Sequence, residues 1–430
     1  MRILWLTNVP VKNAGQLFFG KPANGMWMDA ALEEYASDKE NRLFVMTTGN
    51  TAQTRCATDE TATYYLVPDK PGYNYRCGKE KNIVAMRRVL EEVQPDIIQI
   101  WGTENQAAMD LLTANEDRAP VVVYIQGVIA SLSRYFQAGI PTKDILLNYT
   151  LSDLLFGTGI RQQIHRYQKQ ALQERQVLAR VNNVIGENLW SRAYYRSIVP
   201  DVQFHACPLH LSRCFAHRRW ELSAATPYSI MCNSSNYSIK GLHMLLRALH
   251  LVKQTYPQVK LYLPGNHPAG RRDVKSALLI SGYCRYIKKL IKKLGLEENV
   301  VFLPFLTQEQ MAEQMERAHV FVVSSAIENH SSSLKEAMLL GVPSIGTYVG
   351  GVSEYLRHGE NGFLYRFEEP EVLADLIGQI FASPELAQKL SQNAKADMQA
   401  LHVDKDLHRR TLEIYQTILE ENECEDRNNR

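Results

Sequence analysis

The stretch that decides the fold reads Ser324-Ser325-Ala326-Ile327-Glu328-Asn329-His330-Ser331-Ser332-Ser333-Leu334-Lys335-Glu336-Ala337-Met338-Leu339-Leu340-Gly341-Val342-Pro343. The apolar run VFVVSS (320–325) just before it has the composition of a buried strand, and the polar loop that follows opens a helix stopped by Gly341 and Pro343. A loop at the carboxyl end of such a strand is where doubly wound sheets bind ligands. The helix start near Ser332 offers unpaired N–H groups and the positive end of a dipole, which suits the phosphates of a nucleotide. Glu328 and Glu336 bracket that start, and two carboxylates can accept paired hydroxyl bonds, one from a ribose and the other from a sugar ring. The alternative for the second is plain capping, because Ser333-x-x-Glu336 has the spacing of a capping box.

Short apolar runs recur on both sides of this stretch, separated by segments of helical spacing, the pattern of an α/β protein with mostly parallel sheets. The first series is RILWLT (2–7), RLFVMTT (42–48), DIIQIW (96–101), VVVYIQG (121–127), NNVIGEN (182–188) and QFHACP (203–208). The second is YSIMCNSS (228–235), VKLYLPG (259–265), VVFLPF (300–305), VFVVSS (320–325), PSIGT (343–347) and GFLY (362–365). Two doubly wound, Rossmann-like halves facing a central cleft are expected. Residues 1–220 form the first, with a polar linker at about 216–227, and residues 221–403 the second. A last helix over 404–420 precedes a charged tail, 421–430.

The 430 residues are 45% hydrophobic and 22% charged, which suits large packed cores and excludes a disordered or coiled-coil chain. Lys+Arg 48 against Asp+Glu 46 leaves a formal charge of +2, so nothing global attracts a nucleic acid. Seven cysteines without a C-x-x-C pair make a poor disulfide framework and a poor zinc site. With no apparent signal peptide and no 18-residue apolar stretch, a cytoplasmic protein is expected. A basic amphipathic segment at 285–294 is compatible with weak peripheral contact with an anionic membrane at the inner face of the plasma membrane. Its stripe of Ile287, Leu290, Ile291 and Leu294 suits equally a helix packed on a sheet.

The combination E-x7-E-A-M-x-x-G-x-P (from Glu328), Gly350-Gly351-Val352-x-Glu354 and Gly359-Glu360-Asn361-Gly362-Phe363-Leu364 resembles the retaining glycosyltransferases of group 1, family 4. Upstream, Lys240-Gly241-Leu242 with Leu245, Leu246 and Ala248 is similar to that family's K-G-x-x-x-L-L-x-A block. The match covers residues 228–400 well and the first half only in outline. The resemblance implies a GT-B fold and transfer of a sugar from a UDP- or GDP-sugar to a saccharide or lipid-linked saccharide. Bacterial polysaccharide biosynthesis is the implied setting, with neither cofactor nor metal.

Carried onto this sequence, the resemblance gives Glu336 the ribose and Glu328 the transferring sugar, with Ser331, Ser332, Ser333 and Leu334 at the diphosphate. Lys240 would neutralise the leaving diphosphate, the task a metal performs elsewhere. In the first half Asn24-Gly25 stands where the family has a glycine pair, and Gln126 where it often has a histidine. Glu104, after the strand DIIQIW, is a candidate for the acceptor. The chain departs from the family at Ser235, where an Arg is usual, and at Glu328-Asn329-His330-Ser331, which replaces E-G-F-G. Two other functions stay open: a sugar-nucleotide epimerase or hydrolase on the same fold, and a non-catalytic glycosyltransferase-like binding subunit. The pair Asp404-x-Asp406, similar to a manganese motif of another glycosyltransferase fold, reads here as acidic residues opening the last helix.

Overall fold

A computed structural model describes residues 1–21, 26–68, 79–233, 236–270, 279–403 and 405–428. Asn24, Gly25, Ser235 and Asp404 lie outside the described residues. Two sheets organise the chain, one of eight strands and one of six. The first contains β1 (Arg2–Thr7), β2 (Arg42–Gly49), β3 (Arg55–Thr58), β4 (Thr63–Pro68), β5 (Ile97–Trp101), β6 (Val121–Tyr124), β7 (Asn183–Gly186) and β8 (Gln203–Ala206). The second contains β9 (Ser229–Met231), β10 (Lys260–Leu263), β11 (Val300–Phe302), β12 (Val320–Val323), β13 (Ser344–Thr347) and β14 (Phe363–Tyr365). All pairings are parallel except β3 with β4.

All twelve expected apolar runs are strands; burial is complete in β5, β9, β12 and β13, as in parallel strands covered on both faces, and incomplete in the edge strands β8 and β11. Two strands escape the sequence reading. Edge strand β3 is largely exposed and so carries no apolar run, whereas Thr63-Tyr64-Tyr65-Leu66-Val67-Pro68 of β4 has the aromatic and β-branched composition that could have identified it.

Strand order in the second sheet is β11-β10-β9-β12-β13-β14, so successive connections run one way from β9 and then the other way from β12. The first sheet, β3-β4-β2-β1-β5-β6-β7-β8, reverses in the same manner between β1 and β5. At such a reversal the loops leaving neighbouring strands diverge and open a crevice at their carboxyl ends.

The chain divides into two compact units: Met1–Ile129, Lys169–Leu211 and Lys405–Arg430 form the first, Ala130–Gln168 and Ser212–Asp404 the second. The boundaries differ from the linear ones expected, because residues 130–168 belong to the second unit. Their polar groups explain why. The His243 ring N–H meets the Ala138 carbonyl at 2.8 Å, Ser238 Oγ donates to the Phe136 carbonyl, and the Asp153 carboxylate takes the Gly282 N–H at 2.9 Å. In the first unit the helix Leu407–Asn428 buries Ile414, Tyr415 and Ile418 among Ile3, Trp5 and Val45. Tyr415 Oη accepts from the Trp5 indole at 3.2 Å and donates to Gln99 Oε1 at 2.7 Å. Asp406 accepts the Arg409 N–H at 2.8 Å, so it caps the start of that helix.

Candidate active site

In the second unit three loops meet at the carboxyl ends of β9, β12 and β13. The chain leaving β9 makes a short 3-10 turn, Ser238–Lys240, and turns into the helix Leu242–Thr255 through Gly241, whose φ is +67°. Only glycine fits there, because a Cβ would overlap the Ser324 carbonyl oxygen and lie 2.8 Å from Phe367. Ser324 Oγ donates to the Lys240 carbonyl at 3.1 Å and the Ala326 N–H to the Ile239 carbonyl at 2.7 Å, which ties the β9 loop to the β12 loop. Thr347 Oγ1 donates to the Ser325 carbonyl at 2.7 Å and brings in β13. Gly350, at φ +52°, lies so close to the Glu328 carbonyl that a Cβ would overlap it.

This framework joins Lys240 and Glu328, 88 residues apart in sequence. Lys240 Nζ donates to Glu328 Oε1 at 2.6 Å, and Ser325 Oγ donates to the same oxygen at 2.6 Å. The helix Ser332–Leu340 begins a few residues later. Its cap is Ser331, not Ser333: Ser331 Oγ accepts the Leu334 N–H at 3.4 Å. Glu336 is therefore not the reciprocal partner of a capping box with Ser333. The Leu334 N–H is occupied by the cap and the Ser331 carbonyl, whereas the N–H groups of Ser332 and Ser333 have no carbonyl a turn behind them within the helix. Glu336 keeps some surface exposure, but the protein around its carboxyl strips it of water and pushes its pKa from 4.5 to about 7. A carboxylate in such surroundings gains from hydroxyl donors brought by a ligand.

The first unit has its own cluster at the matching topological point. Asn8 follows β1, Glu104 follows β5 and Gln126 follows β6. Asn8 Nδ2 donates to Glu104 Oε1 and to Gln126 Oε1, the latter at 3.0 Å. Burial pushes the Glu104 carboxyl up, opposed by the Asn8 hydrogen bond. The sequence reading missed Asn8, although its place just past the first strand was a usable signal. It also missed Ser325 as the second donor to Glu328. Among the described residues no three His, Cys, Asp or Glu side chains converge as a metal cluster.

The helix Gly282–Lys293 is capped by Ser281 and buries Tyr286, Ile287, Leu290 and Ile291. Its apolar stripe is core, which leaves only the cationic face exposed.

Residues 216–397 match the family model described as glycosyl transferases group 1. The chain carries a group 1 glycosyltransferase domain. N-acetyl-alpha-D-glucosaminyl L-malate synthase of Bacillus anthracis is 33% identical over 127 residues, 29% of this chain and 32% of that protein. D-inositol 3-phosphate glycosyltransferase of Streptomyces griseus is 33% identical over 118 residues, 27% of this chain and 25% of that enzyme. These matches thus span about a quarter to a third of each relative. Sucrose-phosphate synthase from Thermosynechococcus elongatus superposes with a TM-score of 0.72 at 16% identity, covering 97% of this chain and 99% of that one. Anabaena HepE in complex with UDP and glucose gives a TM-score of 0.67 at 18% identity over the same shares. The group 1 domain thus lies within a chain of GT-B fold.

Proposed function

We propose that this protein is a retaining glycosyltransferase that moves a hexosyl group from a nucleotide sugar, UDP- or GDP-linked, to a saccharide or lipid-linked saccharide acceptor. The observation that carries the reading is the Lys240–Glu328 pair at the β9/β12 reversal, beside the open helix start at Ser332 and Ser333. The UDP present in the HepE structure supports the choice of donor, and the name of the D-inositol 3-phosphate glycosyltransferase supports sugar transfer.

Breaking the bond between the anomeric carbon and the diphosphate leaves negative charge on the departing oxygen. Lys240 and the N–H groups of Ser332 and Ser333 would meet that charge as fixed donors, a substitute for a metal ion. Glu328 would hold the hydroxyls of the transferring sugar and Glu336 those of the ribose, each as a charge-assisted acceptor. Asn8, Glu104 and Gln126 would bind acceptor hydroxyls. The anomeric carbon keeps its configuration when the acceptor oxygen arrives on the face the diphosphate leaves, the acceptor's hydroxyl proton passing to the departing phosphate oxygen. Bacterial polysaccharide assembly is the proposed setting, in the cytoplasm.

Nucleotide release from a panel of UDP- and GDP-sugars, measured with and without saccharide acceptors and in excess chelator, tests the proposal. Acceptor-dependent release that survives chelator, with the new linkage keeping the donor's anomeric configuration by NMR, is expected. Equal release without any acceptor would instead make the protein a hydrolase, and binding without turnover a non-catalytic subunit.

A further inference from the structure

In the second unit, two short helices that the donor-site reading does not use carry an inverted surface. The helix Leu151–Phe156 buries its polar residues Ser152 and Asp153 and turns its apolar ones outward. With the preceding helix Thr142–Leu147, it leaves Leu146, Leu147, Leu151, Leu154, Leu155 and Phe156 between 57% and 64% exposed. A scattered exposed leucine is ordinary, but six large apolar side chains within eleven residues are a patch of the kind that marks an interaction surface.

The polar residues beneath the patch hold it in place. The Asp153 carboxylate takes the N–H of Gly282 at 2.9 Å and the N–H of Thr150 at 3.0 Å, and Thr158 Oγ1 donates to it at 2.7 Å. Thr150 Oγ1 donates to the Ile280 carbonyl at 2.9 Å. A small cavity lined by Ile145, Asn148, Asp153, Gly282, Tyr283 and Tyr286 shows that the first turns of the helix Gly282–Lys293 face the inner side of the two short helices.

That neighbouring helix has no acidic residue and exposes Arg285, Lys288, Lys289, Lys292 and Lys293. On the apolar segment itself Arg134, Lys143 and Arg161 are exposed, while the acidic residues of 130–168 are only Asp144 and the internally bonded Asp153. Leucines beside a one-signed cationic helix match the two layers of an anionic bilayer: acyl chains and phosphate headgroups. A second copy of this chain fits less well, since a two-fold contact would set the same cations against each other.

We propose that the helices Thr142–Leu147 and Leu151–Phe156 insert their leucines into an anionic membrane surface, with the cationic face of Gly282–Lys293 on the headgroups. The inference is independent of the donor-site reading. It differs from the expectation for residues 285–294 alone, because the apolar part comes from elsewhere in the chain.

Sedimentation of the full chain with vesicles tests it. Binding to phosphatidylglycerol-containing vesicles but not to pure phosphatidylcholine is expected, weakening at about 1 M salt, where the Debye length is about 3 Å. The exposed pair L154S/L155S should lower binding at least about tenfold, and each of K288Q and K289Q about fivefold, the equivalent of one cation at the surface. Nucleotide affinity serves as the control for folding and should not change in these variants. Failure to sediment with either vesicle overturns the proposal, as does equal, salt-insensitive binding to both. A dimer by light scattering that L154S/L155S dissociates would assign the patch to a second copy instead.

Discussion

Lys240 Nζ lies 2.6 Å from Glu328 Oε1, and the two are unequally covered: the lysine side chain is 36% exposed, the glutamate 10%. The carboxylate is the fixed member, held also by Ser325, and the lysine is the member with room to move. A diphosphate arriving at the neighbouring helix start would compete with Glu328 for the same ammonium. On the proposed reading the pair would hold Lys240 ready for a phosphate, and because Glu328 is largely covered its carboxylate would then rest on the Ser325 hydroxyl.

Lys240→Ala should weaken nucleoside-diphosphate binding and slow turnover by roughly ten- to hundredfold, the equivalent of a lost charged contact of about 1.5–3 kcal/mol. Glu328→Gln should lower turnover more than nucleotide affinity. Calorimetry with UDP or GDP, beside initial rates, separates the two. Unchanged values in both variants would remove the pair from the mechanism.

Glu336 predicts a pH dependence of donor binding. Burial pushes its carboxyl from 4.5 to about 7, so it is mostly neutral at pH 6 and mostly ionised at pH 8. Ribose hydroxyls bond more strongly to the ionised form, so affinity for a nucleotide sugar should rise several-fold across that interval. Glu336→Gln should bind weakly and without this slope. The same shift makes the fold hold a proton that the unfolded chain releases between 4.5 and 7, so this residue's contribution to stability falls as pH rises through that window. In Glu336→Gln the contribution disappears, which thermal melts at several pH values would register.

Gly350→Ala should damage the site without touching a ligand. The added Cβ would overlap the Glu328 carbonyl and strain a backbone at φ +52°, so either the β13 loop or Glu328 must move. A shift of even part of an ångström at the reacting sugar lowers turnover by an order of magnitude or more. Melting temperature and turnover measured together would show the loss; wild-type values for both would contradict the contact.

His243, His267 and His319 are all in the second unit, and burial pushes each from 6.5 to about 4. Between those values the unfolded chain takes up protons that the folded unit refuses, so their contribution is whole above 6.5 and is lost as pH falls toward 4. Each adds a slope of up to about 1.4 kcal/mol per pH unit. Glu336 opposes them but is one group against three. Chemical denaturation at pH 5 and 7 should find the second unit weaker at pH 5. His319→Gln, which can still accept the Tyr228 N–H bonded by His319 Nδ1 at 3.3 Å, should reduce the difference.

The sequence by itself determined the two parallel α/β halves, because strands buried on both faces must be apolar runs and the helices between them must be amphipathic. It also determined the helix opening at Ser332, through Gly341, Pro343 and the serines before it. The group 1 motifs were legible because each is a short run with its own spacing, Lys240-Gly241, Gly350-Gly351 and the two glutamates eight residues apart, although the contacts that demand those residues are distant in sequence. What the tertiary structure decided depends on neighbours distant in sequence. Lys240 meets Glu328 only because β9 and β12 pair at a reversal of strand order, and Asn8 meets Glu104 only because β1 and β5 do. Ser331 displaced Ser333 as the cap because the helix begins two residues earlier than a capping-box spacing implies. Residues 130–168 joined the second unit through hydrogen bonds to 238–283, and the leucines of 146–156 face outward because Asp153 is anchored inward by Gly282. A local pattern specifies which face of an element is apolar; which side of that element is covered is set by the rest of the fold.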